Sequence, residues 1–257
     1  MENKVIKNID FNIDLATVSD KTKSDELYLM LDYVSSVNIA CSFINQNDLS
    51  VKNAIEHSKS KGKVIGLSLS LPEAIKKPLD LTYDEIESMV LHQLGALSAF
   101  AKVYSANIEF VRPNSAMYKL AAENKDFSLK IAKAIQKFSK WLVYYGAFGK
   151  SLDGVASEIN INVARELILN KNYKNDLTID FGNKKYLDEA KSIERLSNFV
   201  EKSEMYFSKD ESVNVNIDTI NIPTDSKNCV ELLKKANEII IPRPINYNNV
   251  VESGWVE

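Results

Sequence analysis

The hydrophobic pattern is clearest between residues 82 and 118. Thr82 and Glu85 have the spacing of a capping box, which predicts that a helix begins there. Apolar side chains then recur at intervals of three and four residues, as one buried helical stripe requires: Ile86, Met89, Val90, Leu94, Leu97 and Phe100. Residues 108–111 form a short apolar run that predicts a buried strand, and a polar segment beginning at Arg112 ends it. A helix that leads into a buried strand and a polar loop is one unit of an α/β fold, in which binding groups lie at the carboxyl ends of the strands.

Similar strand-like stretches recur along the chain and alternate with helical stretches. They lie at residues 5–15, 36–40, 64–69, 108–111, 141–145, 157–163 and 213–222. Strands separated by helices pair in parallel, so about seven of them predict a single α/β domain over residues 1–257, built as a closed or nearly closed (β/α) barrel. An open, doubly wound sheet is the alternative. Residues 240–257 show little periodicity and are expected to form a C-terminal tail.

Three of these stretches carry polar side chains at every second position. The rows are Asp10, Asn12 and Asp14; Glu158, Asn160 and Asn162; and Asn214, Asn216 and Asp218. Parallel strands that are buried on both faces normally consist of continuous apolar runs. The rows therefore predict a polar barrel interior, in which carboxylates shift one another's pKa or hold a cation. The alternative is that each of these strands has one face in water.

Composition narrows the classes of function. The net charge of −3 at pH 7 argues against nucleic acid and anionic membranes as partners. No run reaches the roughly 18 apolar residues of a membrane span, and the first residues contain no apolar signal region, so we expect a cytoplasmic protein. Cys41 and Cys229 are expected to be reduced and buried. The two histidines, His57 and His92, offer little imidazole for proton transfer, and both are expected to be structural.

Three segments carry a resemblance to a known family: Ser36-Val-Asn-Ile-Ala-Cys41, Leu91-His-Gln-Leu-Gly-Ala-Leu-Ser-Ala-Phe-Ala101 and Asp218-Thr-Ile220. In order and spacing the chain resembles the LamB/YcsF family, which contains the A subunit of bacterial 5-oxoprolinase. The resemblance extends over residues 10–239. It implies a distorted (β/α) barrel, ATP as a cosubstrate, the B and C subunits of 5-oxoprolinase as partners, and the opening of a small cyclic acid, 5-oxoproline, to glutamate.

The chain departs from this family's motifs where the motifs carry histidine. The replacements are Ile44, Ser68, Asn114 and Pro223. None of these side chains can act as an acid or base near neutral pH. The opening motif Asp-x-Asn-x-Asp-x-Gly-Glu keeps its first three polar residues but ends in Ala16-Thr17. The motif Glu-x-Phe-Ala-Asp-Arg is matched at Glu158, and Arg112 stands where the family has a lysine.

Together, the polar rows and the resemblance give the candidate site residues. The catalytic candidates are Asp10, Asp14, Glu158 and Asp225. The candidates for substrate binding are Asn12, Asn38, Arg112 and Asn114. No residue is assigned to a metal. Three functions stay open, and with them the question of whether the chain is an enzyme. They are a catalytically silent homologue, an active 5-oxoprolinase A subunit that relies on carboxylates, and a diverged carboxylate- or metal-dependent hydrolase, for which Mg²⁺, Mn²⁺ or Ca²⁺ would suit oxygen ligands.

Overall fold

The computed structural model describes residues 9–15, 21–41, 48–72, 74–182, 185–206, 212–226 and 228–245. The strands in these ranges are β1 (Asp10–Leu15), β2 (Ser36–Ala40), β3 (Val64–Leu69), β4 (Phe110–Pro113), β5 (Val143–Ala147), β6 (Val163–Ile168), β7 (Glu204–Tyr206), β8 (Ser212–Asn214) and β9 (Thr219–Asn221). Seven of them form a closed parallel barrel in the order β1-β2-β3-β4-β5-β6-β9. Strands β7 and β8 form a separate antiparallel pair. The predicted barrel is confirmed, and the alternative of an open sheet is wrong.

The helices cover the outside of the barrel. They are α1 (Lys21–Leu29), α2 (Asp48–Ser60), α3 (Tyr83–Val103), α4 (Ser115–Glu123), α5 (Lys125–Phe138), α6 (Lys150–Ile159), α7 (Glu189–Lys202) and α8 (Cys229–Ile239), with short 3-10 helices at Met30–Tyr33 and Pro78–Asp80. Helix α3 begins with the predicted capping box, because Thr82 Oγ1 accepts from the Glu85 N–H and Glu85 Oε2 accepts from the Thr82 N–H. Four residues of its apolar stripe are fully buried: Ile86, Val90, Leu94 and Leu97. None of the helices in the described ranges combines the length and the apolarity that crossing a membrane requires.

Two predicted strands are wrong in position. Residues 157–159 of the stretch 157–163 belong to the last turn of α6, whose inward residues Leu152, Val155 and Ile159 have helical spacing. Asn160 ends this helix in the left-handed conformation, with φ 49°, and the barrel strand β6 begins three residues later. The stretch 213–222 is divided, because its first residues pair with β7 and its barrel strand, β9, is short.

The described part of the C-terminal tail runs to the amino-terminal end of the barrel. The Arg243 N–H donates to the Ile9 carbonyl oxygen, at 2.9 Å, just before β1 begins. Ile245 packs on a small apolar cluster formed by Phe110, Val143, Tyr145 and Ala164. These residues lie at or near the starts of β4, β5 and β6, so this part of the tail lies far from the carboxyl ends of the strands.

Candidate functional site

The barrel interior is polar along the whole length of β1. At its lower end, the Asp10 carboxylate accepts hydrogen bonds from the hydroxyls of Ser35 (2.6 Å), Ser36 (2.8 Å), Tyr145 (3.2 Å) and Thr219 (2.6 Å). Burial raises the pKa of Asp10, and the hydrogen bonds from these hydroxyls oppose the rise. Because Asp10 is 1% exposed, a ligand arriving from solvent does not reach it.

One layer higher, the side chain of Asn12 joins four strands. Its Nδ2 donates to Glu166 Oε1 (3.0 Å) on β6 and to Thr219 Oγ1 (2.7 Å) on β9. Its Oδ1 accepts from Asn38 Nδ2 (2.7 Å) on β2 and from Asn221 Nδ2 (2.8 Å) on β9. These bonds use the full hydrogen-bonding capacity of the amide. Asn12 therefore holds the barrel together and has no capacity left for a substrate.

Arg112 on β4 forms the charged centre above this layer. Its Nε lies 2.8 and 2.9 Å from the two carboxylate oxygens of Glu166. Its Nη1 lies 3.4 Å from both carboxylate oxygens of Asp14. The guanidinium carbon also lies 4.7 Å from the centroid of the Tyr118 ring. The side chains of Arg112 and Glu166 are 5% and 0% exposed, whereas that of Asp14 is 31% exposed. Asp14 is thus the member of this cluster that meets solvent.

This arrangement sets the protonation of the cluster. Burial opposes the charge on Arg112, but Glu166 and Asp14 outweigh it and raise the pKa of Arg112, so the guanidinium stays charged. Burial raises the pKa of Asp14, and the charge of Arg112 opposes that rise. Since about a third of the Asp14 side chain is exposed, water moderates the rise further. Burial, with the nearby charge of Glu166, raises the pKa of Tyr118, which keeps the phenol neutral.

The end of β3 and Ser70, which follows it, are fixed by hydrogen bonds from two other elements. Asn114 Nδ2, at the start of α4, donates to Ser68 Oγ (2.9 Å) and Ser70 Oγ (3.0 Å). Gln93 of α3 forms two hydrogen bonds with the backbone of Ser70. Its Oε1 accepts from the Ser70 N–H (2.9 Å), and its Nε2 donates to the Ser70 carbonyl (2.9 Å). Gln93 is 1% exposed, so water does not compete for these bonds. The hydroxyls of Ser68 and Ser70 are therefore held in one place.

These groups form the floor of an open cleft of about 590 Å³ at the carboxyl ends of the strands. Lys171, Tyr186 and Asp225 also line it. Lys171 Nζ lies 4.0 Å from the centroid of the Tyr186 ring, and the Tyr186 hydroxyl donates to Asp225 Oδ1 at 2.6 Å. Burial, the hydrogen bond to Asp225 and the charge of Asp14 raise the pKa of Tyr186. The volume of the cleft suits a small-molecule ligand.

Comparison with known proteins agrees with this architecture. The sequence profile of the LamB/YcsF family matches residues 9–252. The chain belongs to the LamB/YcsF family. A protein of Bacillus thuringiensis subsp. konkukian is 28% identical over 234 residues, which cover 88% of this chain and 92% of that protein. A protein of Campylobacter jejuni subsp. jejuni is 24% identical over 236 residues, which cover 90% and 92%. Each of these two relatives is named as the A subunit of 5-oxoprolinase.

A solved structure shows the same fold. It is the crystal structure of a lactam utilization protein from Thermus thermophilus, with a TM-score of 0.78 and 21% sequence identity. The match covers 92% of this chain and 99% of that chain. The predicted membership of the LamB/YcsF family and its barrel fold are therefore both confirmed.

The four carboxylates predicted to be catalytic do not all line the cleft. Asp14 and Asp225 line it, and Asp10 is buried below it. Placing Glu158 on a barrel strand was wrong, because this residue lies exposed on α6 and forms an ion pair with Lys125 at 2.8 Å. The interior carboxylate of β6 is Glu166, which the pattern of polar rows did not predict. One signal that points to Glu166 is its position in the stretch 163–169, where every residue except Arg165 and Glu166 is apolar.

The polar row expected on the last strand was also wrong. Asn214 and Asn216 are exposed, outside the barrel strands. Asp218 accepts a hydrogen bond from the Arg165 N–H at 2.8 Å, just before β9. The polar interior groups of β9 are Thr219 and Asn221, which alternate with isoleucines at 220 and 222. The prediction of a polar interior is therefore right, although the residues that form it on two strands differ.

The predicted binding residues divide into two groups. Arg112 and Asn114 line the cleft of this LamB/YcsF chain. Asn12 and Asn38 are fully buried below its floor. Cys41 and Cys229 are both buried and neither forms a disulfide, as expected.

Neither histidine lies inside the LamB/YcsF barrel. His57 is exposed on α2, where it stacks on Tyr28 with ring centroids 3.9 Å apart and its Nδ1 lies 2.8 Å from the Asn53 carbonyl oxygen. His92 is exposed on α3. The motif positions Ile44 and Ala16-Thr17 lie outside the described residues.

The described residues of the cleft fit neither a triphosphate nor a metal ion well. The charge of Arg112 is already matched by two carboxylates, which leaves Lys171 to face a polyanion. Within the described ranges, no three His, Cys, Asp or Glu side chains are grouped so as to hold a metal. Between Asp14 and Glu166, where a cation would be expected, the guanidinium supplies the positive charge. We therefore assign no step to ATP or to a metal in this barrel.

Proposed function

We propose that this chain is a module of a 5-oxoprolinase-type assembly and takes the place of the A subunit there. It binds a small carboxylic acid such as 5-oxoproline in its cleft but does not carry out the ring opening. The observation that carries the proposal is the position of the imidazoles, since both histidines of the sequence are exposed on outer helices. The described residues that line the cleft thus lack the side chain whose ordinary pKa suits proton transfer near neutral pH.

The remaining cleft residues favour binding. Lys171 supplies a positive charge for a carboxylate, and the fixed hydroxyls of Ser68 and Ser70 can donate and accept hydrogen bonds. The names of the relatives support an assembly with partner proteins, for which the B and C subunits of a 5-oxoprolinase are the candidates.

We also infer that the Glu-x-Phe-Ala-Asp-Arg motif is carried by Glu166-Leu-Ile-Leu-Asn170-Lys171, and does not begin at Glu158. Glu166 lies on a barrel strand and contacts Arg112, as a motif carboxylate at the site should. In this register the motif arginine is replaced by Lys171 and its aspartate by Asn170. The positive charge is kept, whereas an amide side chain cannot act as an acid or base near neutral pH. The register therefore supports retained binding with weakened acid–base chemistry.

A second candidate is an active A subunit in which Asp14 acts as the general base. Asp14 lines the cleft, and burial raises its pKa toward the range that suits a base. This function predicts turnover that depends on Asp14 and needs no histidine.

One experiment separates the two candidates. The purified chain is mixed with the B and C subunits from its own source, ATP and 5-oxoproline, and both glutamate and binding heat are measured. We expect 5-oxoproline to bind, and glutamate to stay at the level given by the B and C subunits without this chain. Glutamate formation that Asp14→Asn removes and the matched surface variant Asp32→Asn keeps would establish the active enzyme instead. Absence of 5-oxoproline binding to the chain, alone or in the assembly, would refute the proposed module.

A further inference from the structure

The cleft contains a positive and a negative charge in addition to the ion pair between Arg112 and Glu166. Lys171 Nζ lies over the ring of Tyr186 at 4.0 Å, and no described carboxylate forms an ion pair with it. The hydrogen bonds that Asp14 accepts from Arg112 and Ser68 are long, at 3.4 and 3.5 Å. Charge-assisted hydrogen bonds are normally about 2.7–2.9 Å long. The Asn38 side chain also donates a hydrogen bond to Asp14. Because the Asp14 side chain is 31% exposed, its carboxylate can accept further hydrogen bonds from a ligand.

A second acceptor lies beside Asp14. Asn38 is its direct neighbour in the register between β1 and β2. The Asn38 Oδ1 atom is buried and has no hydrogen-bond partner among the described residues. A buried acceptor without a partner is costly, but Asn38 is 0% exposed and lies below the floor of the cleft, so a ligand does not reach it. Asp14 lines the cleft and is the acceptor on this side that a ligand can reach, so it favours a ligand group that is positively charged and donates hydrogen bonds.

The positive and negative sides belong to the same cleft. Asp14, Tyr186 and Lys171 all line it, and Lys171 lies over the Tyr186 ring. Arg112 is a poor site for a ligand carboxylate, because Glu166 contacts its Nε with both oxygens and Asp14 adds a second negative charge beside it. A ligand that satisfies the whole cleft thus has an anionic end for Lys171 and a cationic donor for Asp14.

We propose that the cleft selects an amino acid in its zwitterionic form, with the ammonium group at Asp14 and a carboxylate at Lys171. The inference rests on the proposed binding function and narrows its ligand class. An ammonium group offers three donors and a full charge. The nitrogen of 5-oxoproline belongs to a neutral amide and offers one donor. The chain is therefore better matched to an open-chain amino acid than to the lactam.

The test is calorimetric titration of the full chain at pH 7 with three probes. L-Glutamate carries the ammonium group, glutarate has the same carbon chain without it, and 5-oxoproline has the nitrogen in an amide. We expect L-glutamate to bind at least about tenfold more tightly than either of the others. Asp14→Asn should remove this preference, and Lys171→Met should weaken the binding of all three probes. The matched surface variants Asp32→Asn and Lys61→Met, from an exposed ion pair, should change nothing.

The outcomes distinguish this inference from the proposed function. If 5-oxoproline or glutarate binds as tightly as L-glutamate, the zwitterion inference is overturned, while the proposed binding function stands. If no probe binds, both fail. If Asp14→Asn does not fold, as circular dichroism would show, the ratio of glutamate to glutarate affinity in the unaltered chain decides the question together with Lys171→Met.

Discussion

Replacing Arg112 by methionine removes the charge at the centre of the barrel and keeps much of the apolar length of the side chain. The substitution leaves Glu166, whose side chain is 0% exposed, without the guanidinium that contacts both of its oxygens. Removing one partner of a buried ion pair costs about 3–5 kcal/mol, since the other charge stays buried and uncompensated. The contact of Asp14 with Arg112 adds little, because it is 3.4 Å long and partly exposed to solvent.

The loss of the guanidinium over the ring of Tyr118 adds about 1 kcal/mol. We therefore expect Arg112→Met to lower the free energy of unfolding by about 4–6 kcal/mol. The matched second change is Glu166→Gln, which removes the stranded charge. It also keeps an acceptor for Asn12 Nδ2, which lies 3.0 Å from Glu166 Oε1. The double variant should recover about half of the loss, because a neutral pair leaves no buried charge.

The measurement is equilibrium unfolding in urea, followed by circular dichroism and by fluorescence, with coincident transitions as the condition for a two-state fit. Lys61→Met, which breaks an exposed ion pair with Asp32, serves as the control and should cost less than about 1 kcal/mol. A cost below about 1 kcal/mol for Arg112→Met would refute the reasoning from burial. So would a double variant that is less stable than Arg112→Met alone.

Three further predictions concern the interior and the loop after β3. Burial raises the pKa of Asp10 above its ordinary 3.8, so the folded chain binds this proton more tightly than the unfolded chain, and the free energy of unfolding falls as pH rises from 3.8 through the raised pKa. Asp10→Asn should flatten that part of the pH–stability profile, and an unchanged profile would contradict the assignment. Gly66→Ala would place a methyl carbon 2.2 Å from the ring of Phe110, so we expect a loss of about 1–3 kcal/mol in urea unfolding; a neutral effect would show that the ring can move away. Gln93→Leu removes both hydrogen bonds to the Ser70 backbone, so it should lower the free energy of unfolding by about 1–3 kcal/mol and speed hydrogen exchange of the Ser70 amide. Unchanged exchange would argue against these hydrogen bonds.

Local signals predicted the elements that depend on local interactions. The capping box at Thr82 and the apolar stripe after it depend on residues three or four positions apart, and both are present in α3. The number of barrel strands followed from the alternation of strand-like and helical stretches, even though individual strands lie several residues from their predicted positions.

Predictions that depend on distant partners were less accurate. Polar and apolar residues alternate around Glu158 as they do in a strand. The segment is nevertheless the end of α6, because Leu152, Val155 and Ile159 pack on the core with helical spacing. Glu166 is buried because Arg112, 54 residues earlier, compensates its charge. A sequence read segment by segment gives no sign of this pairing. The same reason explains why Gln93 could be noticed as part of a family motif without its contact to Ser70 being predictable.

The four-strand junction at Asn12 has a consequence for biosynthesis. Asn12 meets Asn221, and Asp10 meets Thr219, across separations of 209 residues in each case. At a translation rate of about 5–20 residues per second, the first strand waits about 10–40 s before its last neighbour leaves the ribosome. Throughout that interval one edge of the nascent sheet stays open to other chains. A chain truncated before residue 219 would therefore keep an unpaired, aggregation-prone sheet edge that chaperones must cover. It would not form a smaller closed barrel.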